Sequence, residues 1–323
     1  MHLHLVLLIT LGLAFSAQAD VKREYRSQST VGKLGTNQTT GTDFYSSDKH
    51  CGESIVQWTA GFMKTATRGK PVEGATITRL DKDSVFTVNH SKETYSAMSL
   101  AEFREQLKKG MIDTEGAEPE EEEDTTAAPP EQYEWTIEDI SDTDPKVING
   151  WTCRNAHVVA TGVNKQDSLD RVIITLNIWN SEDVPGAAEI AEYSKNYLAA
   201  LGLDEIAMTE GLMSAAFLYA AKIDEVLDKA KNARGESVES LIKVEHNRRK
   251  GKSLGQVAKE GAAEELAKKV PFGLGKKKKA EERPEYILKT VFSSERTLVS
   301  AAVEAVDPAT FEVPANYKLK KQD

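Results

Sequence analysis

Apolar and polar positions alternate most plainly over residues 75–98. Three short runs there, 75–80, 84–89 and 93–98, are filled by Thr, Val, Ile, Phe and Tyr. Asp81-Lys82-Asp83 and His90-Ser91-Lys92 separate them, and turn formers between β-type runs predict an antiparallel meander. Phe86 and Val88 fall on one face of the middle run, Val85 and Thr87 on the other. A helix is expected from Ser99 to Lys109, because Ser99 sits at an N-cap position with Glu102 three residues on. Upstream, strands over Val21–Arg26 and Ser54–Ala60 flank a Gly-, Thr-, Asn- and Gln-rich stretch, 32–48, that reads as a mobile loop. Gly69-Lys70-Pro71 reads as a turn.

Strand signals return at residues 133–138, where Tyr133, Trp135 and Ile137 share one face. Asn149-Gly150 is a strong hairpin signal ahead of a strand over 151–161. From Asp170 to Asn180, Val172, Ile174, Leu176 and Ile178 line one face and Ile173, Thr175 and Trp179 the other, so this strand is expected to be covered on both sides. Pro185-Gly186 opens a helix carrying Ile190, Ser194, Tyr197, Leu198 and Leu201 at helical spacing, and Gly202 ends it. A second helix, from about Thr209 to Ala233, stacks Leu212, Ala216, Ala220, Ile223, Leu227 and Ala230, with Met213 and Phe217 widening the stripe. A strand over Val238–His246 follows. The chain closes with strands over Glu285–Ser293 and Arg296–Val306, joined by a turn at Ser293–Glu295, and then a segment, 307–317, that ties the terminus to the sheet.

Composition adds a compartment. Leu3 to Phe15 is an apolar run too short to span a bilayer, and Ala17-Gln18-Ala19 has the small-x-small form of a cleavage site before Asp20. Residues 1–19 therefore read as a signal peptide and 20–323 as a single soluble domain, periplasmic or secreted. Net charge is −10, which favours solubility and argues against nucleic acid as a partner. Cys51 and Cys153 enter an oxidising compartment together. They would either form a disulfide closing a loop of about 100 residues or remain buried free thiols.

Two stretches depart from an ordinary fold. From Asp113 to Asp144 there are fourteen acidic residues and no Lys or Arg. Within that span, 113–131 reads as a disordered acidic insert, since it cannot bury enough apolar surface to offset its ordering entropy. Residues 243–289 hold fourteen Lys or Arg against seven acidic residues. The basic insert, 248–283, reads as a solvated loop or as a contact for an anionic membrane surface. Neither a Gly-rich phosphate loop, a Cys-x-x-Cys pair, a nucleophile elbow nor a spaced metal-ligand set is present. His50, His90, His157 and His246 are dispersed, and no carboxylate pair stands out. The sequence gives no reason to expect an enzyme, a cofactor or a metal.

Three places together resemble an exported envelope-protein family of unknown function with the lipoprotein-carrier (LolA/LolB-like) half-barrel fold. One is Ile77-Thr78-Arg79-Leu80-Asp81-Lys82 with Val85–His90, Thr94-Tyr95 and Ser99-Leu100-Ala101-Glu102. Another is Ile148-Asn149-Gly150-Trp151-Thr152-Cys153, followed by Ile178-Trp179 and Asp183-Val184-Pro185-Gly186; the third is Phe311-Glu312-Val313-Pro314-Ala315-Asn316-Tyr317. The resemblance implies an α+β fold in which a strongly curved antiparallel sheet is covered by an inserted helical hairpin, with an apolar cavity between. Cavity candidates are Phe86, Val88, Tyr95, Trp135, Ile137, Trp179 and Phe217, although core packing is the ordinary role for such side chains. The implied function is non-enzymatic binding of a lipid or an acylated envelope protein. The alternative is a structural or interaction module with a filled core, contacting partners through its acidic and basic inserts.

Overall fold

The computed structural model describes residues 20–106, 133–202, 234–249 and 286–320. They build one large, curved, unclosed sheet of thirteen strands. β1 (Val21–Val31), β2 (Gly35–Ser46), β3 (Lys49–Trp58), β4 (Val72–Arg79), β5 (Ser84–Asn89) and β6 (Thr94–Ser99) form one half. β7 (Tyr133–Asp139), β8 (Lys146–Ile148), β9 (Trp151–Asn164), β10 (Arg171–Ser181), β11 (Glu236–Arg249) and β12 (Tyr286–Val303) form the other. Spatial order is β13-β6-β5-β4-β3-β2-β1-β12-β11-β10-β9-β7, with β8 beside β7 on the outer edge of β9. All pairings are antiparallel except that of the two-residue β13 (Lys318–Leu319) on β6. Among the described residues no helix is long and apolar enough to cross a membrane.

The meander forms as expected. Its two breaks are 3-10 turns, Leu80–Lys82 and His90–Lys92, each closed by a left-handed residue, Asp83 at φ 49° and Glu93 at φ 51°. The capping box is reciprocal: the Ser99 N–H donates to Glu102 Oε2 at 2.8 Å, and the Glu102 N–H donates to Ser99 Oγ at 3.1 Å. The helix it starts, α2, is described over residues 100–106. The Asn149-Gly150 hairpin is also present, with both turn residues at positive φ (49° and 91°) between β8 and β9.

Three expectations change. The polar stretch 32–48 is mostly β2, paired along its length with β1 and β3. Threonine favours extended backbone, and ladder hydrogen bonds do not require apolar side chains. The turn before β2 is pressed on the one before helix α1 (Gly61–Ala66), and a Cβ at Gly35 would come 1.9 Å from the Ala60 carbonyl oxygen. Secondly, there is no turn at Ser293–Glu295. These residues lie inside the 18-residue β12, paired with β1 on one side and β11 on the other. Bulges opposite Glu24/Tyr25 and Val244/Glu245 bend the strand instead. Thirdly, β10 is sealed on one face only, since Ile173, Thr175 and Trp179 are half-buried.

Directly opposed residues of an antiparallel ladder share a face, so the sheet has two. On the helix face, α3 (Ala187–Ala200) packs over β2, with Ile190 and Tyr193 against Val21 and Tyr45. Gly186 at φ 80° starts α3 and Gly202 at φ 63° follows its end, as expected. Tyr193, not Ser194, is the inward residue. On the tail face, residues 306–317 pack through Phe311, Val306, Val313 and Tyr317. The second helix of the expected hairpin, the signal peptide, the acidic insert and most of the basic insert lie outside the described residues.

Candidate functional site

The helix face of β7 and β9–β12 carries the largest apolar cluster. Tyr133, Val158, Ala160, Val172, Ile174, Leu176, Ile178, Ile242, Val244 and Phe292 are all buried, none more than 7% exposed. Trp135 and Ile137 lie at its β7 edge, half-buried. Trp135 rests on Gly162, where an added Cβ would stand 2.9 Å from the indole ring. No described helix contributes a side chain to this cluster. At one end the face turns polar. His246, opposite Val172, has Nε2 2.7 Å from Asp170 Oδ1, and the Tyr133 hydroxyl lies 3.4 Å from both Asp170 oxygens. The face is thus apolar along its strands, with His246 and Asp170 at one end and the Arg296 side chain, opposite Ser240, toward the other.

Beside it, under α3, lies a charged cluster missed by the sequence analysis. Asp43 is 2% exposed. Its Oδ2 accepts from Arg23 Nη2 at 3.2 Å and from Arg296 Nη2 at 2.7 Å, while His50 Nε2 stands 3.5 Å from Oδ1. Arg23 also pairs with Glu236 at 2.6 Å and donates to the Tyr45 hydroxyl. Burial alone would raise the Asp43 pKa. His50, Arg23 and Arg296 outweigh it and hold the carboxyl well below the usual carboxylate range. The signal in the sequence was the alternation of β1, which sets Arg23 between Val21 and Tyr25 on the buried side. Each charge has a partner, which fits joining strands better than catalysis. Among the described residues no group of three or more His, Cys, Asp or Glu is placed to hold a metal ion.

The cavity candidates do not converge. Phe86, Val88 and Tyr95 lie on the tail face, around Cys51, Ala75, Ile77 and Phe311. The hollow they line is filled by the chain's own tail. Arg79 locks that tail, donating to the Phe311 carbonyl at 3.2 Å and pairing with Glu312 and Asp81. His90 Nδ1 lies 3.0 Å from the Tyr317 hydroxyl. Trp135 and Ile137 are on the helix face. Trp179 belongs to a third cluster with Ile148, Cys153, Val184, Val238 and Leu298. Phe217 lies outside the described residues. Alternation shows that a strand has two faces and leaves open which one is filled by a distant segment.

Cys51 and Cys153 are not joined. Both are buried free thiols, Cys51 in the tail-face cluster and Cys153 in the third, on strands with five others between them. Burial, aided by Glu53 and Asp43, pushes the Cys51 thiol up to about 12, and burial also raises Cys153. A shallow, open cavity of about 430 Å³ indents the tail face beyond the tail, lined by Glu24, Arg26, Glu53, Ile55, Glu73 and His90 among others. None of the candidates lines it.

No family model matches this chain, and no curated protein matches it. Among solved structures the chain is similar to the crystal structure of a LolA superfamily protein from Nitrosomonas europaea. Identity is 8%, the alignment covers 92% of this chain and 91% of that chain, and the TM-score is 0.22. A likeness that shallow decides neither family nor ligand.

Proposed function

We propose that this protein is a non-enzymatic carrier that holds an apolar ligand, the acyl chain of a lipid or of an acylated envelope protein, against the helix face of β7 and β9–β12. One observation carries the reading: an unbroken apolar face spans five strands, and no described helix packs on it. The amphipathic stripe expected over 209–233 would supply a cover that can be displaced, with the ligand lying between stripe and sheet. Trp135 and Ile137, at the β7 edge of this face, are where an entering chain would first make contact. The reading also places the protein in the envelope, where such ligands occur.

Native mass spectrometry of the protein, purified without detergent and followed by solvent extraction, tests it. A stoichiometric adduct of lipid mass is expected. A clean apo mass, together with no saturable binding of a fluorescent fatty acid, would overturn the carrier reading in favour of an interaction module with a filled core.

A further inference from the structure

One end of the sheet differs from the rest of this acidic chain. Residues 31–36 and 59–72, the two connections at this end, contain no Asp or Glu, yet they carry Lys33, Lys64, Arg68 and Lys70. All four are exposed, and none forms an ion pair among the described residues. The two stretches meet at this end of the sheet. The Thr59 N–H donates to the Thr36 carbonyl at 2.8 Å, and a Cβ on Gly61 would lie 2.2 Å from Gly35 Cα. That contact brings the backbone at Leu34 and the start of helix α1 together at the tip, where Leu34 and Phe62 are 47% and 66% exposed. β12 runs past Val31 at the same end, leaving Leu288 52% exposed beside Lys289. Arg249, the last residue of β11, opposes Tyr286, the first of β12, at this end as well.

We infer that this end of the sheet is a docking surface for an anionic lipid bilayer, with Phe62 and Leu34 entering the head-group layer and the surrounding cations facing its phosphates. Exposed aromatic and aliphatic side chains accompanied by Lys33, Lys64, Arg68 and Lys70 in the same two connections complement such a surface. The inference does not depend on the acyl-chain reading, because its readout is attachment to vesicles rather than ligand in the fold.

Vesicle flotation tests it, using phosphatidylcholine vesicles with and without phosphatidylglycerol. The protein should float with the anionic vesicles only, and high salt should weaken binding. Leu34→Ser with Phe62→Ser should weaken it roughly tenfold, as should Lys33→Gln with Lys64→Gln and Lys70→Gln. All five are exposed, so circular dichroism and thermal melts should match the parent. Replacing Lys276 to Lys279 by Gln separates the contribution of the basic insert. Absence of flotation, or flotation abolished by the insert variant and untouched by both tip variants, would overturn the inference.

Discussion

Asp43 on β2 reaches Arg296 on β12 at 2.7 Å, across the intervening β1. The Arg296 guanidinium lies 3.9 Å over the Tyr25 ring on its way, so one carboxylate ties three neighbouring strands. The folded pKa of Asp43 is depressed, so its contribution to stability is present above the unfolded value of 3.8 and is lost as pH falls below it. Asp43→Asn should cost about 3 kcal/mol at neutral pH and flatten the acid limb of stability below about pH 4. Asp81 and Glu312, also depressed by their Arg79 and Lys82 contacts, retain their share of that limb in the variant. Urea unfolding of both proteins at a series of pH values measures the difference, and parallel acid limbs would contradict it.

Phe311 and Cys51 share the tail-face cluster, at 3% and 1% exposed. Phe311→Ala should cost about 3–4 kcal/mol through the cavity it leaves. It should also speed alkylation of Cys51 by about tenfold or more, since labelling requires an exposed thiolate, while leaving Cys153 slow. Peptide mapping after timed labelling separates the two thiols. Equal acceleration at both would mean that the whole sheet loosens rather than the tail alone.

The Asn149-Gly150 turn combines backbone strain with a long-range bond. A Cβ at Gly150 meets nothing within 4 Å, so Gly150→Ala should cost only the left-handed backbone term, about 1 kcal/mol. Asn149→Ala also loses the side-chain bond to the Leu298 carbonyl at 2.7 Å and should cost about 2 kcal/mol. Chemical denaturation of the two variants checks the order, which reverses if the bond to β12 contributes nothing.

On the carrier reading, Trp135→Ala should weaken fluorescent fatty-acid binding by about tenfold, equivalent to ~1.4 kcal/mol, with the melting transition still cooperative. Phe86→Ala, on the tail face, should leave that affinity unchanged. Titrations of the two variants distinguish the faces, and equal losses would contradict the assignment.

Local patterns were legible where turn chemistry or capping set them. Asp83, Asn149 and Ser99 announce their place in a turn or cap through neighbours within four residues, whereas Glu93, read as the start of a strand, is the left-handed residue that closes a turn. β2 was illegible because Thr36 to Thr42 hold their place through ladder bonds to strands on either side, which hydropathy does not report. Ser293-Ser294-Glu295 looks like a turn for the same reason. Their polar side chains lie in the middle of a sheet, with Ser294 Oγ 3.2 Å from Ser29 Oγ. The placement of the cavity candidates was illegible on a different ground. Phe86 and Val88 do share a face, but that face is closed by Phe311, more than two hundred residues away in sequence.

The position of β12 has a consequence for the growing chain. Strands β1 to β6 pair in sequence order and can form while the remainder is still being synthesised, yet the outer edge of β1 stays open until β12 arrives. A product that ends before Tyr286 would hold two half-sheets with unsatisfied edges at β1 and β11, each a template for another chain. Arrival of β12 thus closes both edges at once, which makes this strand the seam on which the two halves depend.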